Sequence, residues 1–377
     1  MQSTKHEKLF FPNLDGLRFF SFFLVFLAHS FSADNPAIKE TGWYKLIKVR
    51  MFSDGDIGVS FFFVLSGFLI TYLLIKEKEL IGRINIKSFY IRRALRIWPL
   101  YYFTMLFGFI IFPILKQKFG EVPNEIADPL LCFTFLNNFD RMVHIPDASV
   151  ISVMWSVAIE EQFYLIWPII FFLTPKKYYF HIIAFVVIIS NLFRMIFVKS
   201  IQIDLHTLGV ITDMAIGGLF AYLCYFNIKF LGFIKRMPKW SIAIPYILTL
   251  CFIIFKQEIF SSEVMVILKR VIMGTTFAVI IVEQNFSNNS LFKVGNWKII
   301  SKLGKYTYGL YCLHSIAILI SVTLLRKFSL NHYSWQIWFL ELPLSLLLSI
   351  AMSWFSYKYF ESWFLKLKDK FAYITKS

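Results

Sequence analysis

The stretch whose reading decides the fold is Leu14-Asp15-Gly16-Leu17-Arg18-Phe19-Phe20-Ser21-Phe22-Phe23-Leu24-Val25-Phe26-Leu27-Ala28-His29-Ser30. Between Arg18 and His29 every residue except Ser21 is apolar. As a helix, these eleven steps turn through about 1100°, roughly 20° past three full turns, and rise about 16 Å. Arg18 and His29 then share one face, half a bilayer apart. Asp15, three residues before Arg18, shares it too. An ionisable side chain inside a membrane helix is costly and faces a polar cavity or a partner. The plain alternative is an Arg anchored at the interface and a hydrogen-bonded packing His near the other end.

Composition sets the class. The chain has 377 residues, of which 58% are hydrophobic and 45 are Phe, and its mean hydropathy is +0.63. Charged residues make up 16%, against about 25% in soluble domains. No soluble core needs this much apolar sequence, so the expected fold is an all-α polytopic membrane protein. A net charge of +16 could suggest nucleic acid, but the basic residues are scattered through loops between apolar spans, which points to topology instead. The cysteines at 132, 224, 251 and 312 have no metal-ligand spacing and read as packing residues, so no metal is expected. Lys5, Lys8, the apolar run and Ser30-Phe31-Ser32-Ala33 imitate a signal peptide, but Arg18 and His29 inside the run argue against cleavage.

Apolar spans fall at roughly 14–33, 56–75, 97–115, 155–174, 178–198, 207–226, 240–256, 264–283, 304–325 and 335–357. The expectation is a bundle of about ten transmembrane helices, with a short amphipathic piece near 130–138 at the interface. An even number of crossings puts both termini on one side. Loops on that side carry 24 of the Lys and Arg residues, against 11 on the other, so both termini are expected in the cytoplasm. The longest loop, 116–154, contains Pro123, Pro129 and Pro146 and could form an outer cap. No loop holds a second globular domain, and residues 1–377 read as one transmembrane domain.

Several spans carry chemistry-bearing residues. The second contains Ser66-Gly67, a pair that allows close packing or a kink and could shape a cavity wall. The third opens with Arg92, Arg93 and Arg96 at its cytoplasmic edge. Guanidinium groups bind phosphate bidentately, and positive-inside anchoring is the alternative. The fourth begins Trp155-Ser156-Val157-Ala158-Ile159-Glu160-Glu161, and its Ser156, Glu160 and Tyr164 recur every four residues on one face. A carboxylate there could accept an imidazole N–H and raise its basicity, and a pair of interfacial carboxylates facing water is the alternative. The ninth carries Tyr308, Tyr311 and His314, cavity-lining or structural. Asp213 and Glu361 read as mainly structural acids.

Taken together, LDGLRFFSFFLVFLAH (14–29), GDIGVSFFFVLSGFLI (55–70), FYIRRALRIWPLYY (89–102), WSVAIEEQFYLIWP (155–168) and YGLYCLH (308–314) resemble the membrane-bound acyltransferase-3 family. Singly each is weak, but five in the family's order are specific. The resemblance implies a ten- or eleven-helix bundle that moves an acyl group, most often acetyl, from cytoplasmic acyl-CoA to a hydroxyl. The acceptor would be an envelope polysaccharide, a lipopolysaccharide or a lipid-linked sugar, and the location a bacterial inner membrane. It implies that His29 matches the family's essential histidine and Arg18 its arginine, that Arg93 and Arg96 match its Arg-x-x-Arg pair, and that Glu160 matches its acidic residue. Leu313 stands where Trp is frequent and the usual Pro beyond His314 is absent, so the resemblance gives the ninth span no specific role. With no room for a hydrolase-like C-terminal domain, the chain resembles the stand-alone branch.

The expected mechanism is direct transfer. Arg93, Arg96, Arg92 and Arg18 would hold the coenzyme phosphates. His29, neutral and oriented by a carboxylate such as Glu160, would act as general base, and a buried cation would stabilise the oxyanion. Asp15, Ser66, Ser156, Glu161, Tyr164, Tyr308 and His314 would line the cavity. Acyl-CoA is a co-substrate rather than a resident cofactor, and no nucleic-acid partner is expected. The rival class is a transporter or flippase of a lipid-linked glycan, which would also use ionisable groups near the midplane. A structural scaffold leaves the shared face of Arg18 and His29 unexplained.

Overall fold

The computed structural model describes residues 7–8, 11–33, 35–118, 120, 122, 126–144, 149–371 and 374–375. Pro123 and Pro146 of the expected outer cap lie outside the described residues. Ten long helices dominate the described residues. They are α1 (Pro12–His29), α2 (Asp56–Ile81), α3 (Ile86–Lys118), α4 (Trp155–Leu173), α5 (Tyr179–Ile196), α6 (Thr207–Phe226), α7 (Lys239–Ile259), α8 (Glu263–Phe286), α9 (Thr307–Lys327) and α10 (Ser334–Asp369). Among the described residues, the nine helical segments containing α2 to α10 are long and apolar enough to cross a membrane. α1 is as helical as expected but less apolar, because Asn13, Asp15, Arg18 and His29 dilute its phenylalanines. The protein is thus an all-helical, multi-pass membrane protein. Two-residue strands, Glu7–Lys8 and Ile374–Thr375, pair in parallel and bring the two ends of the described chain together.

The sequence misplaces three boundaries, each for a physical reason. α1 stops at His29, and Phe31 beyond it adopts a left-handed φ of 66°. α3 begins eleven residues before its apolar span, since Arg92, Arg93 and Arg96 lie inside the helix. α10 runs on past residue 357 through an amphipathic end. Widened turns at Phe107–Ile111 and Ile337–Glu341 each precede a proline by two residues, Pro113 and Pro343, where a missing N–H breaks the regular ladder. The piece expected near 130–138 is two short helices, Pro129–Phe133 and Asn137–Val143.

The packing centres on α2 and α6. A Cβ at Gly67 would stand 1.9 Å from the Met214 carbonyl oxygen, and one at Gly217 would stand 2.1 Å from that of Val64. The two backbones therefore touch, as small residues permit between membrane helices. On the neighbouring side, charge is buried in a closed network. Arg270 lies 2.5 Å from Asp56, 3.0 Å from Asp204 and 3.0 Å from Asp213. Lys269 lies 2.6 Å from Asp56, and Arg194 meets Asp204 at 3.1 Å. Arg194 also donates to the carbonyls of Ile203, Gly209, Val266 and Ile267. Asp213, read from the sequence as mainly structural, is fully buried against Arg270.

Two stability predictions follow from these contacts. Gly67→Ala should cost about 1–3 kcal/mol from overpacking and lower the thermal midpoint in nanodiscs. Gly42→Ala, with nothing within 4 Å of the added Cβ, should leave the midpoint in place. Arg270→Met strands the buried Asp213 and takes one cationic partner each from Asp56 and Asp204, which keep Lys269 and Arg194, and should cost about 3–5 kcal/mol, read in the same melt.

Candidate active site

α1 carries Arg18 near one end and His29 at the other, and each meets a different set of neighbours. His29 Nδ1 lies 2.9 Å from the Val25 carbonyl oxygen and 3.2 Å from His314 Nε2. His314 is fully buried, and its Nδ1 sits 2.7 Å from Tyr311 O and 3.2 Å from Leu310 O. Carbonyl oxygens can only accept, so His314 Nδ1 carries the hydrogen and its neutral Nε2 presents a lone pair. His29 Nδ1 therefore faces two acceptors and must itself donate. In the neutral ring this leaves the lone pair on Nε2. That edge belongs to an exposed side chain, and no described residue hydrogen-bonds to it. The geometry presents a neutral imidazole with its basic nitrogen open.

Below this pair a polar seam follows one face of α4. Ser156 Oγ is 2.6 Å from Tyr311 OH, and Tyr311 OH donates to Val153 O at 3.1 Å. One turn further along, Ser66 Oγ donates to Glu160 Oε1 at 2.8 Å. Tyr164 OH lies 3.0 Å from both Ser66 Oγ and Glu160 Oε2. The i, i+4, i+8 spacing thus does line one face, about 12 Å from Ser156 to Tyr164. Glu160, however, is paired with Ser66 and Tyr164, and the group that meets His29 is His314. Glu161 accepts from Trp98 Nε1 at 2.8 Å. Tyr308 OH donates to Ile97 O at 2.7 Å and ties α9 to α3.

At the far end of the seam stand the arginines. Arg93 lies over the Tyr164 ring at 5.1 Å and the Phe89 ring at 5.5 Å, cation–π contacts that leave its N–H fork unmatched by a carboxylate. Arg18 pairs with Asp15 at 2.7 Å, and the charge of Arg96 bears on it. No described side chain hydrogen-bonds or ion-pairs with Arg96. Arg92 is already engaged, with Glu77 Oε2 at 3.0 Å and the Phe371 carbonyl at 2.6 Å. Arg18, Arg93, Glu160, Tyr164 and Ser66 therefore come together at one end of the seam, with Arg96 alongside. His29, His314, Tyr311 and Ser156 come together at the other.

Two contacts were out of reach of sequence reasoning. The His29–His314 pair joins residues 285 apart, with no local signal. Lys48 donates to the Ala28 carbonyl beside His29, and it comes from the helical turns at Lys45–Met51 that apolarity did not mark. The cysteines are free, three buried and Cys251 half-buried. Among the described residues no group of three or more His, Cys, Asp or Glu side chains is placed to hold a metal ion.

Residues 11–358 match a sequence family described as an acyltransferase domain, Acyl_transf_3. The chain is 27% identical over 348 residues to the peptidoglycan O-acetyltransferase OatA of Listeria monocytogenes, covering 86% of this chain and 52% of that protein. It is 31% identical over 214 residues to a candidate O-acetyltransferase of Staphylococcus aureus, covering 53% of this chain and 32% of the relative. A candidate peptidoglycan O-acetyltransferase of Bacillus subtilis is 30% identical over 173 residues, or 44% of this chain and 24% of the relative. The chain spans about half the length of these relatives or less. No solved structure matches.

Arg92 provides a test of the site's architecture. Arg92→Ala should free the end of α10, so limited trypsin should cut at Lys366, Lys368 and Lys370 faster than in the parent protein, with the bundle intact. An unchanged cleavage rate would show that other contacts hold the segment.

Proposed function

Because the chain belongs to the acyltransferase-3 family, we propose that it is an integral-membrane O-acyltransferase that moves an acetyl group from acetyl-CoA to a glycan hydroxyl. The observation that carries this reading is the open Nε2 of His29, fixed as a base by the Val25 carbonyl and His314. The acceptor hydroxyl gives its proton to His29 Nε2. Its oxygen attacks the thioester carbonyl, a tetrahedral oxyanion forms, and the C–S bond breaks. The coenzyme leaves as thiolate and takes the proton back as free thiol. Lys48, held against Ala28 beside His29, is a cation placed to stabilise the oxyanion. Arg93, Arg96 and Arg18 bind the coenzyme phosphates at the other end of the seam. The rise of about 16 Å between Arg18 and His29 is then spanned by the pantetheine arm. Arg92, committed to Glu77 and Phe371, positions the chain instead of touching the coenzyme.

The peptidoglycan named for two relatives supports an envelope glycan as the acceptor class. The positive bias of one set of loops supports cytoplasmic termini in a bacterial inner membrane, on the side from which acetyl-CoA enters. A transporter would need no imidazole held as a base, and no observation favours it over transfer.

The test is acetyl-CoA-dependent release of free CoA by the purified protein in nanodiscs, with an envelope-glycan extract as acceptor. His29→Ala should abolish release while CoA still binds. His314→Ala, which removes only the orienting partner, should lower kcat about 10- to 100-fold with KM little changed, less than the roughly 10²- to 10⁴-fold that a general base itself contributes. Turnover at the parental rate in His29→Ala would refute the assignment of the base.

A further inference from the structure

The end of α10 runs beside the arginine cluster, and two contacts fix its register. Phe360 packs on Phe103 with ring centroids 5.9 Å apart, and Arg92 Nη1 lies 2.6 Å from Phe371 O. Eleven residues separate Phe360 from Phe371, and eleven separate Arg92 from Phe103. The two segments are therefore antiparallel neighbours that advance residue for residue. In that register Lys368 comes level with Leu95 and Arg96. The charges of both Arg96 and Arg93 bear on its ammonium, which places it at the same end of the seam. Its side chain is only 23% exposed, and its ion-pair partner is Asp369 at 3.4 Å, itself 71% exposed, a contact water weakens.

The nearby carboxylates are occupied elsewhere. Glu361 accepts from Ser356 Oγ at 2.9 Å, Glu160 from Ser66 and Tyr164, and Asp15 holds Arg18. The structure thus brings an ammonium from α10 to two guanidinium groups from α3, none of them in an ion pair with a buried carboxylate, although the charges of Glu160 and Glu161 bear on Arg93 and that of Glu361 on Arg96. Like charges repel at this range, and the arrangement is relieved by a polyanion between them. Lys368 also lies beyond residues 11–358 that match the family.

We propose that Lys368 completes the phosphate-binding site with Arg93 and Arg96, so that the end of α10, pinned by Arg92, forms one wall of the donor site. This rests on the acetyl-CoA reading above and adds a residue to it. The ligand chemistry is the nucleotide phosphate groups of the coenzyme, not its acyl end.

The experiment compares two thioesters on the full-length protein in nanodiscs: acetyl-CoA, and S-acetylpantetheine, which lacks those phosphates. Lys368→Ala should raise KM for acetyl-CoA about tenfold, the scale of a hydrogen bond to a charged group near the interface, with kcat unchanged. It should leave the kinetics with S-acetylpantetheine as they are. Lys368→Arg should restore the acetyl-CoA KM, and Lys366→Ala, on the opposite side of the helix, should match the parent. A KM for acetyl-CoA unchanged in Lys368→Ala overturns the proposal. Equal loss on both thioesters also overturns it, since that marks a distorted fold. If the parent protein neither binds nor turns over acetyl-CoA, the donor reading falls first and the role of Lys368 falls with it.

Discussion

A guanidinium group inside a bilayer must be met by something, and this protein meets that demand in two opposite ways. Arg194 and Arg270 sit in a closed network with Asp56, Asp204, Asp213 and backbone carbonyls. The cations and acids of that network answer one another, and its product is rigidity between α2, α5, α6 and α8. Arg93 and Arg96 have no such answer. One lies on aromatic faces and the other has no hydrogen-bond or ion-pair partner among the described residues. The same residue type at a similar cost is used once to close the bundle and once to leave it open to an anion. Leaving guanidinium forks unmatched is a standing expense in folding energy, and Arg93 and Arg96 bear it at one end of the seam.

His29 at the other end is held by neutral groups. A carboxylate against His29 would stabilise the imidazolium and raise its basicity. A second imidazole and a backbone carbonyl fix the same tautomer without adding a charge to a low-dielectric site. His29 is thereby oriented with its proton-accepting nitrogen outward, and the burial cost of an ion pair is avoided. Glu160 is then free to serve the arginine end of the seam, where Ser66 and Tyr164 satisfy it.

How much of this was legible in the sequence depends on range. The helices read well because hydrophobic period and length are local properties, and the alignment of Arg18 with His29 follows from 3.6 residues per turn. The starts of α3 and the end of α10 were missed because charge at a helix terminus masks the apolar signal. The face of α4 was correct, but the partner assigned to Glu160 was not, since the depth at which two helices cross is set by packing and not by spacing along either one. His314 lay in a recognisable motif, yet its contact with His29 is made across 285 residues. Lys368 belongs to an amphipathic end that looks like ordinary positive-inside anchoring until α3 is placed beside it.

The two ends of the seam differ in kind, and on the proposed reading that difference sets the direction of the chemistry. Cations gather on the side where the chain ends pair, and the open imidazole stands about 16 Å away along α1. A donor with an anionic head and a long uncharged arm fits both ends at once, head on the arginines and thioester at His29. The glycan need only bring one hydroxyl to the exposed edge of the ring. Neither the coenzyme nor the sugar then has to cross the bilayer, because the acyl group is handed over between them at the depth of His29. A carrier, by contrast, would have to release its charged cargo from the arginines, and among the described residues the His29 end offers it only the single cations Lys48 and Arg141.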